Sequence, residues 1–225
     1  MPIFKTKNEN FFKKWSPEMA YILGFFAADG SMYKTKRGTH FIEFQITDKE
    51  LLKQIRKLFD SNHKIAMRNR NKKWKLLYRL QIGSKAMFGD LIKLGMTPRK
   101  SKTIKFPDIP VHYLIHFVRG YFDGDGNVWS GLMHKTDRKK PSRTLIAGFT
   151  CGSKKFLISL MKTLKTHGGL VGGSLQYRSR AYRLHYSTAD ATRLYKFMSY
   201  GNNRLGLERK SLVFERFLKE RGPVV

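Results

Sequence analysis

Apolar residues recur with two different periods along this chain, and each period predicts one kind of element. Apolar and polar residues alternate over 40–47 and again over 74–82, which is typical of strands with one covered face. Over 51–59 the apolar positions are three or four apart, which predicts a helix with one buried side. Asp48 stands just before that stretch, as an N-cap residue does. Helices and strands therefore both occur, in alternation.

The same order of elements is predicted twice. In the first half we predict helices at 17–28, after Asp48 and at 84–94, with strands at 31–36, 40–47, 64–70 and 74–82. In the second half we predict helices at 110–124, after Ser153, at 188–200 and at 207–220, with strands at 127–135, 143–151, 171–178 and 181–187. We therefore predict an α+β fold of two pseudo-symmetric αββαββα units, each an antiparallel four-stranded sheet backed by helices. The expected boundaries are a basic arm at 1–15, a first unit at 16–100, a linker at 101–110 and a second unit at 111–225.

The charge of the chain is strongly positive. Its 225 residues include 45 Lys and Arg against 16 Asp and Glu, a net charge of +29. Such an excess repels itself in the folded state and implies a polyanionic partner, with nucleic acid as the first candidate. We expect no membrane partner, because the apolar runs are too short to span a bilayer. The single cysteine, Cys151, excludes internal disulfides and fits an intracellular location, in a prokaryote or an organelle.

Two apolar helices of similar sequence begin the two predicted units. Residues 21–30 read YILGFFAADG, and residues 117–126 read FVRGYFDGDG. Each has two small residues four positions apart, and therefore on one face of a helix. These pairs are Gly24 with Ala28 and Gly120 with Gly124. We predict that the two small-residue faces pack together, which would bring Asp29 and Asp125 side by side at the negative ends of the helices, where carboxylates bind a hard divalent cation.

The two motifs resemble those of the single-chain LAGLIDADG homing endonucleases, and the likeness extends over nearly the whole chain except its N-terminal arm. The resemblance implies a sequence-specific DNA endonuclease that makes a double-strand break in a long asymmetric site during the homing of a mobile intron. The expected partner is double-stranded DNA. Because the two halves differ in sequence, we expect a monomer rather than a symmetric dimer.

The same resemblance implies how the phosphodiester bonds are hydrolysed. Asp29 and Asp125 are expected to hold divalent metal ions, together with the backbone carbonyl oxygens of Ala28 and Gly124. Mg²⁺ is the expected cofactor, or another divalent cation such as Mn²⁺. We expect Ca²⁺ to bind without supporting cleavage.

Two lysines and one further acid complete the predicted site. Lys100 and Lys210 recur at matching positions, and the resemblance makes them candidates for the basic catalytic residues near metal-bound waters. The alternatives are lysines that contact phosphate or lie on the plain surface. Asp123 has no acidic counterpart, since Ala27 stands at the matching position. It lies two residues from Asp125 and so on another side of the helix, which predicts a capping or interface residue rather than a ligand.

The polar, basic faces of the strands are the predicted DNA-binding surface. Helices should cover the apolar faces and leave the polar faces open as a saddle, which could enter a major groove. In the first unit the predicted contacts are Tyr33, Thr35, Arg37, Gln45, Arg68, Arg70, Lys75, Arg79 and Gln81. In the second unit they are Trp129, Thr144, Thr150, Gln176, Arg178, Arg180, Arg183 and His185. For each residue the alternatives are a phosphate contact or a solvated strand face.

Two other functions are compatible with the same fold. One is an intron-RNA maturase, for which intron RNA would be the partner. The other is a DNA-binding regulator without catalysis. Retention of both motif acids favours the nuclease, and the seven histidines show no metal-ligand spacing that would indicate another nuclease class.

Overall fold

The computed structural model describes residues 5–69, 75–134, 140–199 and 205–221. The first predicted unit contains α1 (Pro17–Asp29), β1 (Gly30–Lys34), β2 (His40–Ile46), α2 (Lys49–Leu58), β3 (Ile65–Arg68), β4 (Leu77–Gly83) and α3 (Lys85–Lys93). The second contains α4 (Leu114–Asp125), β5 (Gly126–Met133), β6 (Ser142–Cys151), α5 (Lys154–Gly168), β7 (Ser174–Arg178), β8 (Ala181–Tyr186), α6 (Thr188–Ser199) and α7 (Glu208–Arg221). The predicted order of helices and strands is therefore observed in both.

Each unit contains one four-stranded antiparallel sheet. The strand orders are β1-β2-β4-β3 and β5-β6-β8-β7, so the two sheets share one topology. Their registers also match, because Gly30 pairs with Phe44 in the first sheet and Gly126 pairs with Phe149 in the second. The predicted α+β fold class is confirmed.

Side-chain caps fix the starts of the helices. Ser16, Asp48, Ser84 and Ser153 each accept a hydrogen bond from a backbone amide three residues later, at 3.1, 3.0, 3.2 and 3.3 Å. Such a cap contributes about 1 kcal/mol by satisfying an amide that the helix leaves without a partner. The helix starts predicted near residues 17 and 84 and after Asp48 and Ser153 are thus observed, each with a capping side chain.

The apolar face of each sheet forms a core with the helices. In the first unit the ring of Phe44 lies 5.3 Å from that of Phe26 and 5.9 Å from that of Phe59, and all three are fully buried. In the second unit Phe149 and Phe156 are equally buried. The polar face of each sheet is the one that the helices leave uncovered.

Some element ends differ from the prediction for local reasons. α4 begins at Leu114 instead of Pro110, because Pro110 is extended (φ −55°, ψ 135°) and a 3₁₀ turn at Val111–Tyr113 intervenes. β7 begins at Ser174 instead of 171, because the amides of Val171 and Gly172 donate to the Asp190 carboxylate at 3.1 and 2.7 Å. Those amides therefore donate to a side chain and do not take part in the hydrogen bonds of the sheet.

Two apolar side chains that follow the helical period of their helices are only half-buried. They are Leu58 of α2 and Met161 of α5. Both lie near the edge of the apolar stripe of their helix, where burial depends on the neighbouring elements as well as on the helical period.

The described chain divides into two compact units. One comprises the described residues up to Gly124 together with Leu205 and Gly206, and the other begins at Asp125 and includes α7. The unit boundaries and the linker expected from the sequence stay predictions. Among the described residues, no helix combines the length and the apolar character needed to cross a bilayer.

Candidate functional site

The glycines of α1 and α4 lie where the backbones of these two helices meet within the first compact unit. A Cβ atom built on Gly24 would overlap the carbonyl oxygen of Phe117, and one built on Gly120 would overlap the carbonyl oxygen of Tyr21. Any side chain at either position would force the helices apart. The predicted packing of α1 on α4 through glycine is therefore what the structure contains.

The same contact continues to the C-terminal end of α1. A Cβ atom on Gly124 would overlap that of Ala28 and would lie 3.4 Å from Oδ2 of Asp29. Asp29 is the last residue of α1, and its side chain is exposed. The amide of Gly30 donates to the carbonyl of Phe26, so no later amide of the helix reaches the carbonyl of Ala28. The end of α1 therefore carries a carboxylate together with backbone carbonyl oxygens, the kinds of ligand that hard cations prefer.

Asp125 ends α4 and is partly exposed. Like Asp29, it is followed by a glycine that begins a strand, here Gly126 of β5. Nowhere in the described chain do three or more His, Cys, Asp and Glu side chains form a group that could hold a metal ion. A cation held by these acids would therefore take its other ligands from backbone oxygens, water or a substrate.

Each predicted lysine contacts the residue that follows a motif acid of its own unit. The ammonium of Lys100 donates to the carbonyl oxygen of Gly30 and lies 5.2 Å from the ring centre of Phe26. The ammonium of Lys210 donates to the carbonyl oxygen of Gly126 at 2.6 Å. The two lysines are 6% and 7% exposed, so they are not surface lysines.

Asp123 takes part in the α1–α4 contact. It is buried and accepts a hydrogen bond from the Tyr21 hydroxyl at 2.7 Å. Burial, and then the Asp123 carboxylate, raise the pKa of Tyr21 well above its usual value of 10.0. Asp123 is thus an interface residue, as its position on the helix indicated.

A polar network occupies the open face of the first sheet. Glu43 of β2 accepts a hydrogen bond from Nε2 of Gln81 at 3.2 Å and pairs with Nη1 of Arg79 at 3.5 Å. Gln45 also donates to Glu43, and Gln81 also donates to the hydroxyl of Tyr33. Four predicted DNA contacts are therefore joined through one carboxylate.

The other predicted contacts of the first unit lie at strand ends and in turns. Thr35 and Arg37 lie in the turn between β1 and β2, where Thr35 Oγ1 accepts from the amide of Thr39 at 3.1 Å. Arg68 is exposed at the end of β3, and Lys75 is exposed just before β4. Arg70 lies outside the described residues.

In the second unit most predicted contacts are accessible. Trp129 of β5 is exposed, as are Gln176 and Arg178 of β7 and Arg180 in the following turn. Thr150, Arg183 and His185 are half-buried on the two central strands. Burial, and then the charge of Arg183, lower the pKa of His185, which favours the neutral imidazole.

Thr144 is a correction to the predicted set. Its position in the alternation along β6 places it on the open face of the sheet. Its side chain is nevertheless only 4% exposed, and its hydroxyl donates to the carbonyl of Ser142 at 3.2 Å. Alternation decides which side of a sheet a residue faces, whereas exposure depends on what covers that side. Thr144 is therefore not available to a base.

Comparison with known families gives a match within the first unit. Residues 16–92 match the LAGLIDADG-like domain. The resemblance drawn from the two motifs is thereby confirmed for the unit that begins with the first of them.

The fold of both units together is that of the LAGLIDADG meganucleases. The I-AabMI meganuclease bound to uncleaved DNA superposes with a TM-score of 0.60 at 15% identity, covering 90% of this chain and 89% of that chain. The I-LtrWI homing endonuclease bound to target DNA gives 0.59 at 15%, covering 93% and 89%. The I-WcaI homing endonuclease bound to its recognition sequence gives 0.58 at 16%, covering 92% and 91%. The sequence shows no significant match to a curated protein.

One residue of the first unit was not among the predicted site residues. Glu43 lies at the centre of the open face, yet the predicted contacts included no acid. A signal was present in the sequence, because Glu43 is the one acid within the eight predicted strands. Its cross-strand partners Arg79 and Gln81 could not be inferred, since register depends on the folded sheet, whereas Gln45 lies two residues away on the same strand.

Proposed function

We propose that this protein is a sequence-specific DNA endonuclease that makes double-strand breaks, with Asp29 and Asp125 as its catalytic acids. The observation that carries the proposal is the repeated arrangement of acid and lysine. In each unit a motif acid ends a helix, and a buried lysine donates to the carbonyl of the next residue. A structural lysine would need no acid beside its carbonyl partner, so the repetition favours a chemical role.

Covalent geometry supports a shared role for the two acids. A Cβ atom built on Gly124 would lie 3.4 Å from Oδ2 of Asp29. Asp125 is bonded to Gly124, so its Cα lies about 3.8 Å from that of Gly124. We infer that both carboxylates serve one catalytic centre, as the resemblance implies.

The donor set of this centre fits a divalent cation with a preference for oxygen. Asp29 and Asp125 would supply carboxylates, and Ala28 and Gly124 would supply carbonyl oxygens. A bound Mg²⁺ or Mn²⁺ would lower the pKa of a bound water and neutralise charge on the phosphate. One structural neighbour, I-SmaMI, was solved on uncleaved DNA in the presence of calcium ions, with a TM-score of 0.53. We expect Ca²⁺ to bind here too without supporting cleavage.

The lysines would act next to the acids. With its ammonium held by the carbonyl of Gly30, Lys100 brings a positive charge within one residue of Asp29, and Lys210 does the same for Asp125 through Gly126. A fixed positive charge there stabilises the negative charge that builds up on a phosphate under attack. The acids would orient the reacting groups, and the lysines would supply the compensating charge.

Double-stranded DNA is the proposed partner, bound by the open faces of the two sheets. Matching positions in the two sheets carry different side chains, since Gln45 and Gln81 correspond to Thr150 and His185. Two unlike faces read two unlike half-sites. We therefore propose a monomer that recognises one long asymmetric sequence.

A selection of cleaved sites from a random duplex library tests this function. We expect a single long, non-palindromic site that is cut on both strands with Mg²⁺ or Mn²⁺, and bound but uncut with Ca²⁺. Two identical half-sites would contradict the monomeric mode of recognition. A protein that cuts nothing but promotes splicing of an intron RNA would contradict the nuclease and support the maturase alternative.

A further inference from the structure

Glu43 is an unusual residue for a surface that binds a polyanion. It is the only acid in the eight strands of the described chain, which also carry six Lys and Arg residues. It lies in the middle of β2, on the face opposite the buried Ile42 and Phe44, and is itself 5% exposed. A carboxylate there weakens the attraction for phosphate, so its presence calls for another explanation.

The partners of Glu43 supply that explanation. A carboxylate can only accept hydrogen bonds, so a glutamine beside it must present its NH₂ group and not its carbonyl. Both Gln45 and Gln81 donate through Nε2 to Glu43. Glu43 therefore fixes which end of each amide points toward the sheet.

This restriction is strongest for Gln81, because both hydrogens of its NH₂ group are donated to neighbouring side chains. One hydrogen goes to Oε2 of Glu43 and the other to the hydroxyl of Tyr33. A glutamine with both ends available pairs with adenine through its NH₂ group and its carbonyl together. Gln81 in this arrangement can offer a base only its carbonyl oxygen, which accepts from the amino group of adenine or cytosine.

We propose that Glu43 is a positioning residue that makes Gln81 an acceptor-only reader of an amino-bearing base, adenine or cytosine, in the half-site of the first unit. The inference rests on the proposed function, because it concerns how the same DNA is read. Glu43 also holds the guanidinium of Arg79 through their 3.5 Å ion pair. Long polar side chains lose much rotamer freedom when they are ordered, so ordering them before DNA arrives favours discrimination.

The second unit provides an internal comparison. In its sheet Gly148 occupies the position of Glu43, and it lies opposite His185 as Glu43 lies opposite Gln81. A Cβ atom on Gly148 would overlap the carbonyl oxygen of Leu184, so no larger residue fits there without a shift of the strand. The orienting carboxylate is thus a property of the first half-site only.

The test is a binding selection on random duplex DNA in Ca²⁺, which measures base preference without requiring cleavage. For wild type we expect adenine or cytosine at one position of the first half-site. Glu43→Gln keeps the shape but can donate as well as accept, which frees the amide of Gln81. We expect it to reduce discrimination at that position about tenfold, within the range of one lost base-specific contact, and to leave the second half-site unchanged.

Two further variants separate this role from charge and from folding. Glu50→Gln makes the same change of charge on an exposed helical acid paired with Lys53, whose side chains are 67% and 48% exposed, and should leave every preference as in wild type. Tyr33→Phe removes the second acceptor of Gln81 and should relax the same position as Glu43→Gln. If thermal unfolding shows that Glu43→Gln does not fold, Tyr33→Phe still tests the inference.

The outcomes are distinct. If wild type is selective and both Glu43→Gln and Tyr33→Phe are as selective as wild type at every position, this inference is overturned and the proposed function still stands. Uniform loss of selectivity in both half-sites would overturn it as well, because that result indicates a structural role. A wild-type protein without any base preference would contradict the proposed function and this inference together.

Discussion

Lys100 and Lys210 show how single residues at this site are held in place. A buried ammonium is costly unless it is hydrogen-bonded, and each of these lysines donates to a strand-starting glycine. The left-handed backbone of Arg99 (φ 57°) turns the chain just before Lys100, whereas Lys210 lies in the first turn of α7. Two different local structures thus deliver the same group to equivalent carbonyls.

Replacing either lysine by methionine tests its chemical role. We expect Lys100→Met and Lys210→Met each to lower the single-turnover cleavage rate roughly a hundredfold while DNA affinity changes little, because one preorganised charge is lost near the phosphate. Lys53→Met, an exposed lysine of α2, is the matched control and should cut normally. Wild-type rates from both site variants would assign these lysines to structure alone.

The hydrogen bond between Tyr21 and Asp123 predicts a dependence of stability on pH. Tyr21→Phe should lower the free energy of unfolding at pH 7 by about 1–3 kcal/mol, because a buried carboxylate loses this donor. The pKa of Tyr21 is raised in the folded state, so its contribution is complete below pH 10 and is lost as the pH rises further. The difference between wild type and variant should therefore shrink above pH 10. Denaturant unfolding at several pH values measures it, and a constant difference would contradict the assignment.

At the scale of elements, the contact of α1 with α4 decides where the motif acids lie. At Gly24 and Gly120 the backbone of one helix occupies the space that a side chain of the other would fill. Only glycine permits this close approach. The hydrogen bond between Tyr21 of α1 and Asp123 of α4 reinforces it. The site at the helix ends is therefore supported by packing one and two turns away.

Adding one methyl group to this contact should be costly. We expect Gly24→Ala or Gly120→Ala to lower the free energy of unfolding by about 1–3 kcal/mol or more, because the new Cβ would overlap a carbonyl oxygen of the facing helix. Gly89→Ala in α3 is the matched control, since nothing lies within 4 Å of its Cβ position. It should stabilise the protein by about 0.4–1 kcal/mol. Equal effects of the three substitutions in chemical denaturation would rule out the close contact.

Sequence patterns predicted these elements well because their signals are local. The caps at Ser16, Asp48 and Ser153 are read from three or four neighbouring residues, and the motif glycines from one helical face. The burial of Thr144 and the bonds of Glu43 to Arg79 and Gln81 depend on residues distant in sequence, which no local pattern contains. The lysines were found by repetition, but their carbonyl partners came only from the structure.

At the scale of the whole molecule, the positive charge is not concentrated in the sheets. Of 45 Lys and Arg, six lie in the described strands, so most of the charge is carried elsewhere. Under the proposed function, the charged helices and loops would attract the phosphate backbone. The strands, which carry few charges, would contact the bases. Under the same proposal, the +29 charge would supply affinity for DNA, and the polar network of the first sheet would supply selectivity for bases.

The most direct test of the account is cleavage of the selected site by Asp29→Asn and Asp125→Asn. Each change keeps the shape of the side chain and removes the charge that holds a divalent ion, so we expect the rate of double-strand cleavage with Mg²⁺ to fall at least about a hundredfold. Affinity in Ca²⁺ should stay within a fewfold of wild type, and Glu50→Gln should match wild type in both measurements. Cleavage at the wild-type rate by either variant would contradict the central claim that these two acids form the catalytic centre.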